Sequence, residues 1–320
     1  MEKKWDVLAF GELLIDFTQN GISGQGNGMF EANPGGAPCN VLAMLNKLGH
    51  VTTFMGKVGN DIFGQLLKHT LEELKIDTSA LKLDENVRTT LAFVANDASG
   101  DRSFSFYRNP GADMMFVPEE VKEDVINSAK IFHFGTLSMT HDLVREATKK
   151  ALKLAKENNM LISFDPNLRE SLWSSLDLAK EQVSYGLQYC DILKISDNEI
   201  QWFTGEENYD KAVQMLQRQY EIPLVLLSLG KDGSRAYYKN NRVEVPAFLQ
   251  ENTIDTTGAG DTFMGCCLHF VLEKGLQNLC EKDLEDMLRF ANAAASIITT
   301  RRGALKVMPD IEEVNALLEK

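Results

Sequence analysis

Short apolar runs alternate along this chain with longer stretches in which apolar residues return every three or four positions. The first pattern fits buried strands and the second fits amphipathic helices. Trp5–Phe10 opens as a strand and Thr53–Val58 follows as another. Between them, Pro38–Leu48 carries Val41, Leu42, Met44, Leu45 and Leu48 on a helical period, and Gly49 ends it. Ile62, Phe63, Leu66, Leu67, Leu71 and Leu74 mark the face of a second helix. Ile131–Phe134, Leu161–Phe164, Ile192–Ile195 and Leu224–Leu229 read as later strands, with helices over about Leu143–Glu157 and Ala179–Leu187 between them and another over Leu288–Thr299. Such alternation predicts an α/β fold with a mostly parallel central sheet and helices on both faces.

Two regions break the rhythm. Glu12–Asn33 reads as a strand, a Gly/Asn/Ser loop and a second strand, and Thr89–Arg108 alternates around the turn Asp97-Ala98-Ser99-Gly100 as a hairpin does. Paired, they make a small antiparallel β sheet, a lid over the strand ends where open α/β folds bind ligands. A merely decorative hairpin fits the same residues. The expected division is a large domain of residues 1–11, 34–87 and 109–320 and a lid of residues 12–33 and 88–108.

Lys plus Arg is 33 and Asp plus Glu is 46, so the formal charge is 33 − 46 = −13. That balance argues against a nucleic-acid or anionic-membrane partner, which calls for a basic face. The five cysteines fit no zinc spacing, and their odd number suits a reducing compartment. The N-terminus has no signal-peptide core and no apolar run is long enough to span a bilayer, so the expected location is cytoplasmic. The five histidines offer no metal-type pair by spacing.

The most informative run is Ile254-Asp255-Thr256-Thr257-Gly258-Ala259-Gly260-Asp261-Thr262-Phe263. Gly258, Ala259 and Gly260 leave backbone N–H groups free to face an anion, and the helix that follows adds the positive end of its dipole. A carboxylate beside a phosphate cradle opposes simple binding. Asp261 makes sense as the acceptor of a proton from a hydroxyl that attacks the phosphate. Placed at a helix N-terminus, it is expected to have a lowered pKa. Upstream, Asn33-Pro34-Gly35-Gly36-Ala37-Pro38-Cys39-Asn40 opens the first helix, with glycines for close backbone approach and an amide that both donates and accepts, as a polyol requires. In isolation it is equally a Gly-Gly turn with a helix entry.

Asp-Thr-Thr-Gly-Ala-Gly-Asp is similar to the C-terminal signature of the ribokinase-like (PfkB) sugar kinases, and Gly-Gly-x-x-x-Asn is similar to their N-terminal one. The resemblance runs from Asp6 to Pro309. It implies the three-layer ribokinase-like fold, with Asp261 as base and the Gly258, Ala259 and Gly260 amides steadying the transferred phosphoryl group. It implies sugar binding by Asp16, Gly35, Gly36 and Asn40. Phe104, Phe106 and Arg108 share one strand face and are taken to cover and bind the sugar, although an ordinary apolar hairpin face reads the same way. Asn167 is placed with the sugar and Arg169 with the phosphoryl charge; alone, Arg169 reads as a surface ion-pair residue.

On the nucleotide side the resemblance points to Lys194, Ser196, Ser228, Gly230 and Gly233, with Asn292 beside the adenine. Glu199 is expected to reach Mg²⁺ through water, and Ser196 departs from the Asn that the family often carries there. By matching positions, Asp255, Thr257, Ile298, Gly303 and Val307 supply a monovalent-cation site for K⁺. The implied ligands are ATP, Mg²⁺ and a free sugar, and family members often pair their lids into homodimers.

The tracts Phe106–Asp113 and Phe164–Trp173 look most like those of fructokinases, so fructose is the expected substrate. Kinases of 2-keto-3-deoxygluconate, ribose or ribosides carry similar tracts. A non-catalytic sugar- or nucleotide-binding regulator would have lost Asp261 or the glycine turn, and both are present. A dinucleotide-dependent oxidoreductase would need a Gly-rich fingerprint after the first strand, where Gly11-Glu12-Leu13 stands instead.

Overall fold

The computed structural model describes residues 3–96 and 102–319, and not the side chains of residues 95, 96 and 102–104. The turn at Asp97–Gly100 and the side chain of Phe104 therefore lie outside the described residues. The strands are β1 (Trp5–Phe10), β2 (Leu14–Ile22), β3 (Gly28–Gly35), β4 (Thr52–Gly59), β5 (Asp77–Asp84), β6 (Leu91–Asn96), β7 (Arg102–Tyr107), β8 (Ala129–Gly135), β9 (Leu161–Asp165), β10 (Ile192–Ser196), β11 (Leu224–Ser228), β12 (Ser234–Tyr238) and β13 (Asn241–Val245). The helices are α1 (Ala37–Lys47), α2 (Ile62–Glu73), α3 (Glu123–Asn127), α4 (Asp142–Glu157), α5 (Leu176–Leu187), α6 (Asp197–Thr204), α7 (Tyr209–Tyr220), α8 (Ala259–Lys274), α9 (Glu281–Ile298) and α10 (Ile311–Leu318).

Nine strands form the main sheet in the order β13-β12-β11-β10-β9-β8-β1-β4-β5. Every pairing from β11 to β5 is parallel, and β12 and β13 close one edge antiparallel. β1 shows why the layers form. Val7 and Ala9 join the core under α1, α2, α8, α9 and α10, while Leu8 and Phe10 join the core under α3 to α7. A strand buried on both sides must be apolar at every position, and this one nearly is.

The smaller sheet has the order β3-β2-β6-β7. Its outer pairings are antiparallel, as expected, but β2 and β6 run parallel where the two hairpins meet. This register puts Asp16, Ala92 and Phe106 in one row, and Thr18, Val94 and Phe104 in the next. The intervening row carries Phe17 and Phe93, stacked at 4.9 Å, and Phe17 meets Phe63 of α2 edge-on at 5.5 Å. Period-two alternation thus turns one face toward the main domain's strand ends and the other toward an aromatic cluster.

α1 and α8 lie side by side. Near their N-terminal ends Asn40 Nδ2 donates to Asp261 Oδ2 at 2.7 Å. At their far ends His50, just past α1, meets His269 of α8, Nε2 to Nδ1, at 2.8 Å. The tertiary fold thus makes a histidine pair that spacing in the chain did not suggest. Cys266 and Cys267 are buried, as their apolar setting predicts. Among the described residues, no helix is long and apolar enough to cross a membrane.

Candidate active site

A cleft of about 600 Å³ opens where the small sheet faces the carboxyl ends of the main-sheet strands. Its floor includes Asn40 and Asp261, and its walls include Asp16, Phe106, Asn167, Arg169, Lys194, Ser196 and Glu199. Residues 221 positions apart thus form one hydrogen-bonded pair, Asn40–Asp261, in the open cleft.

α8 begins from Gly258, whose φ of 78° is left-handed and whose Cβ, were one present, would stand 2.5 Å from Ala304 Cβ. Only glycine fits both constraints. The Ala259 amide donates to Thr256 O at 3.3 Å, and the Thr262 amide to Gly258 O at 2.8 Å. Among the described residues the Gly260 and Asp261 amides have no partner, as first-turn amides of a helix do not, and Gly260 lines the cleft. Ala259 does not line it.

Asp261 is buried, and that desolvation lifts its pKa above the ordinary carboxylate value, while Asn40, Lys194 and Arg169 restrain the rise. The expectation of a lowered pKa is corrected here. The dipole of a helix end is a partial charge, and burial of the whole carboxylate outweighs it. Asp16 is pushed to about 7 by burial, opposed by Arg169 and reinforced by Asp255 and Asp261. Gly35 is not itself a cleft residue; it packs against the Asp16 carboxylate, and a side chain there would collide with it. Gly36 caps α1 at φ 132°, with Glu12 O only 2.5 Å from the place of a Cβ.

The nucleotide side is built differently. Lys194 Nζ sits 2.9 Å from Asp165 Oδ2 in a buried ion pair. Burial acts to lower Lys194, but Asp165, Glu199 and Asp261 together raise it. Glu199 lies at the start of α6, where its carboxylate accepts from the Ser196 amide at 2.9 Å, the Ser196 hydroxyl at 2.8 Å and the Leu168 amide at 2.8 Å. Burial works to raise Glu199, and Lys194 with these donors brings it below its usual value. Ser228 pairs in register with Ser196 at the end of β11, and Gly230 and Gly233 follow in the turn to β12. None of these three lines the cleft.

The chain matches the model of the pfkB family carbohydrate kinases over residues 4–311. It belongs to that family. It is 40% identical to the probable fructokinase-2 of Arabidopsis thaliana over 99% of this chain and 97% of that protein. The ATP-bound fructokinase of Xylella fastidiosa superposes with a TM-score of 0.89 at 30% identity, covering 98% of each chain. A double mutant of the fructokinase of Vibrio cholerae O395, with fructose, ADP and potassium ion bound, gives 0.87 at 29% identity over 99% of each.

Not every residue that the pfkB resemblance proposed comes to the cleft. Arg108 falls after β7 has ended, so it leaves the face of Phe106 and turns inward. Its guanidinium grips Asp113 at 2.7 Å, Thr140 Oγ1 at 2.8 Å and Leu137 O at 3.1 Å, and Arg108 does not line the cleft. Asn292 is also committed elsewhere: Oδ1 accepts from Ser234 Oγ at 2.9 Å, and Nδ2 donates to Val245 O and Pro246 O. Arg169 lines the cleft and donates to Asn167 Oδ1 at 2.7 Å. Asp255 accepts from the amides of Thr257 at 2.8 Å and Gly303 at 3.3 Å, drawing two of the proposed cation-site loops together. The carbonyls of Ile298 and Val307 both accept from Arg301.

Glu12 and Asp165 were not singled out by sequence. Glu12 is buried in the cleft wall, accepts from the Ala37 amide at 3.0 Å and is lifted by burial to about 7. Asp165 is lifted by burial to about 6, against the pull of Lys194. Each is an acid inside or directly after an apolar strand, and that signal was available in the sequence.

Proposed function

We propose that this pfkB kinase transfers the γ-phosphate of ATP to fructose, giving fructose 6-phosphate and ADP. The observation that carries the reading is the Asn40–Asp261 hydrogen bond, which brings the sugar-type and phosphate-type motifs to one point in the cleft. The relatives' names add fructose as the sugar.

In this mechanism the sugar lies against Asp16, Asn40 and Gly36, with Phe106 over it. Asn40 occupies Asp261 Oδ2, and Oδ1 has no partner among the described residues. Asp261 takes the hydroxyl proton as the new O–P bond forms and the bond from the γ-phosphorus to the bridging oxygen of ADP breaks. A carboxylate with a raised pKa is a better base for this than an exposed one. The Gly260 amide and the N-terminus of α8 stabilise the charge on the moving phosphoryl group, and Arg169 adds a cation on the facing wall. Lys194 lies beside Gly260, its Nζ 3.0 Å from where a Cβ would stand, and holds the phosphates from that side. Ser228, Gly230 and Gly233, in and after β11, carry the rest of the nucleotide, and Asn292 ties β12 to the end of β13 beyond them.

When bound with the nucleotide, Mg²⁺ would supply neutralisation of the phosphate charge. Glu199 already accepts three hydrogen bonds, so the residues fit an ion held through water rather than by that carboxylate directly. The loops of Asp255, Thr257 and Gly303, together with the backbone at Ile298 and Val307, would hold K⁺ as the monovalent ion. The small sheet, residues 12–33 and 88–108, acts as the lid of the larger domain and excludes water from the reaction. Exposed Ile22, Met29, Phe30 and Tyr107 on that sheet support a homodimer through it.

The test is an ADP-release assay coupled to a sugar panel of fructose, ribose, 2-keto-3-deoxygluconate and a riboside, with and without K⁺. Fructose should give the highest kcat/KM, and K⁺ should raise it. Absence of sugar-dependent ADP release removes the proposal, and a higher kcat/KM for another sugar reassigns the substrate.

A further inference from the structure

His50, His269 and Glu273 gather at the end of the α1–α8 pair opposite the cleft, with one ligand-type atom from each within 4.8 Å of the others. The two imidazoles already face each other, Nε2 to Nδ1, at 2.8 Å. His269 and Glu273 are four residues apart on α8 and so lie on the same face, one turn apart. Asp6 Oδ2 stands 3.6 Å from the other ring nitrogen of His50 and is itself anchored by Lys130 Nζ, 2.7 Å from Oδ1. The charge of that carboxylate, whose Oδ2 accepts from the Val51 amide at 2.9 Å, favours the His50 tautomer with Nδ1–H toward Asp6 and the Nε2 lone pair toward His269. A carboxylate behind a histidine is the outer support that metal-binding imidazoles ordinarily have.

We propose that His50 Nε2, His269 Nδ1 and Glu273 form a binding site for one borderline divalent transition-metal ion, of which Zn²⁺ is the natural probe. Two imidazole nitrogens and one carboxylate are a recurrent zinc set, with the fourth position left to water. The same set disfavours Mg²⁺, which prefers oxygen ligands in octahedral array. Binding displaces the proton shared between the two rings. The rings then separate by a few tenths of an ångström, because both nitrogens must stand at roughly 2.0–2.1 Å from one ion. Half-buried His269 is held on α8 and half-buried His50 on the chain just past α1, whereas exposed Glu273 can swing to complete the set. An ion here clamps the far ends of the two helices whose near ends carry Asn40 and Asp261.

The experiment is isothermal titration of the chelator-stripped full-length protein with Zn²⁺ in millimolar Mg²⁺, alongside thermal unfolding with and without Zn²⁺. One equivalent should bind, the melting midpoint should rise, and His50→Gln/His269→Gln should abolish both effects. Because the double variant disturbs a half-buried pair, Glu273→Gln serves as the second arm; it changes only an exposed side chain and should weaken binding about tenfold. Co²⁺ should give the intense visible bands of a four-coordinate site in the wild type alone. Absence of a stoichiometric Zn²⁺ isotherm, or an isotherm that survives in the double variant, overturns the assignment. Equal affinity in Glu273→Gln overturns the three-ligand site. None of these readouts depends on kinase activity.

Discussion

The two walls of the cleft handle carboxylates in opposite ways. On the nucleotide side, Asp165 has Lys194 at 2.9 Å and Glu199 has three donors, so each acid is closed into a local network. On the sugar side, Asp16 and Asp261 have no ion-pair partner among the described residues, and burial lifts both, as it lifts Asp165 despite its partner. The first arrangement spends the charge on holding strand ends and a helix start together. The second keeps acceptors and a base available for hydroxyl groups. The difference separates acids that organise the site from acids that act in it; Asp16, Glu199 and Asp261 line the cleft, and Asp165 stands behind the cleft residue Lys194.

The sharpest way to break the comparison is at Asp261. Asp261→Asn keeps an oxygen to accept the Asn40 bond and removes only the proton acceptor. We expect kcat to fall by ~10²–10⁴, with ATP binding retained and stability no lower than wild type, because a buried charge has gone. A variant with near-normal kcat would place the base elsewhere. On the organising side the largest effect should be on folding. Lys194→Met leaves Asp165 buried without its partner and should cost about 3–5 kcal/mol by urea unfolding. Adding Asp165→Asn should recover most of that loss. No recovery would mean that Lys194 stabilises through contacts other than the ion pair.

Asp16 allows a test with opposite signs in stability and function. Its folded pKa of about 7 lies above the unfolded carboxylate value, so the native state holds an extra proton across the interval between them. Stability is therefore fullest below about pH 4 and is lost as pH rises through about 7. Asp16→Asn removes this term, and its advantage over wild type in urea unfolding should be larger at pH 8 than at pH 5. Glu12 carries a shift of the same sign, so some decline remains in the variant. The KM for sugar should rise at least about tenfold, since a charged acceptor of hydroxyl groups is lost. Higher stability at pH 8 with an unchanged KM would move Asp16 out of the sugar site.

Much of this was legible in the sequence, and the failures share a cause. Strands such as β1 and β10 announce themselves because burial on both faces makes them continuously apolar. β5 was missed because an edge strand that pairs only with β4 needs no such run, and Asp77–Asp84 is mostly polar. β13 is the opposite edge strand and pairs only with β12, and neither of these two was read as a strand from the sequence. Asn40, Asp261 and Ser196, read from local motifs, all line the cleft, because a helix start fixes where their side chains point. Arg108 was assigned by strand alternation, which holds only while the strand lasts, and β7 ends one residue before it. The Asp261 shift depended on how deeply α8 is packed, and no property of its neighbours in sequence reports that. The His50–His269 contact joins positions 219 apart, beyond the reach of any spacing rule.

The smallest predicted effect sits at Ser196, where the chain departs from the Asn that the family often has. Ser196 caps α6, accepting from the Glu199 amide at 3.4 Å while its own hydroxyl and amide hold the Glu199 carboxylate. Ser196→Ala removes the hydroxyl and its two bonds but leaves the Ser196 and Leu168 amides on Glu199. Loss of a cap of this kind costs ~1 kcal/mol. Glu199 should therefore stay in place, with kcat and the Mg²⁺ dependence of turnover within about twofold of wild type while the unfolding midpoint drops. If Glu199 instead acts on the metal as a loosely held ligand, the same substitution frees it, and the apparent Mg²⁺ affinity should shift by more than the stability does. A Mg²⁺ titration of turnover in Ser196→Ala thus decides whether the nucleotide wall is closed by its own hydrogen bonds or only by the bound nucleotide.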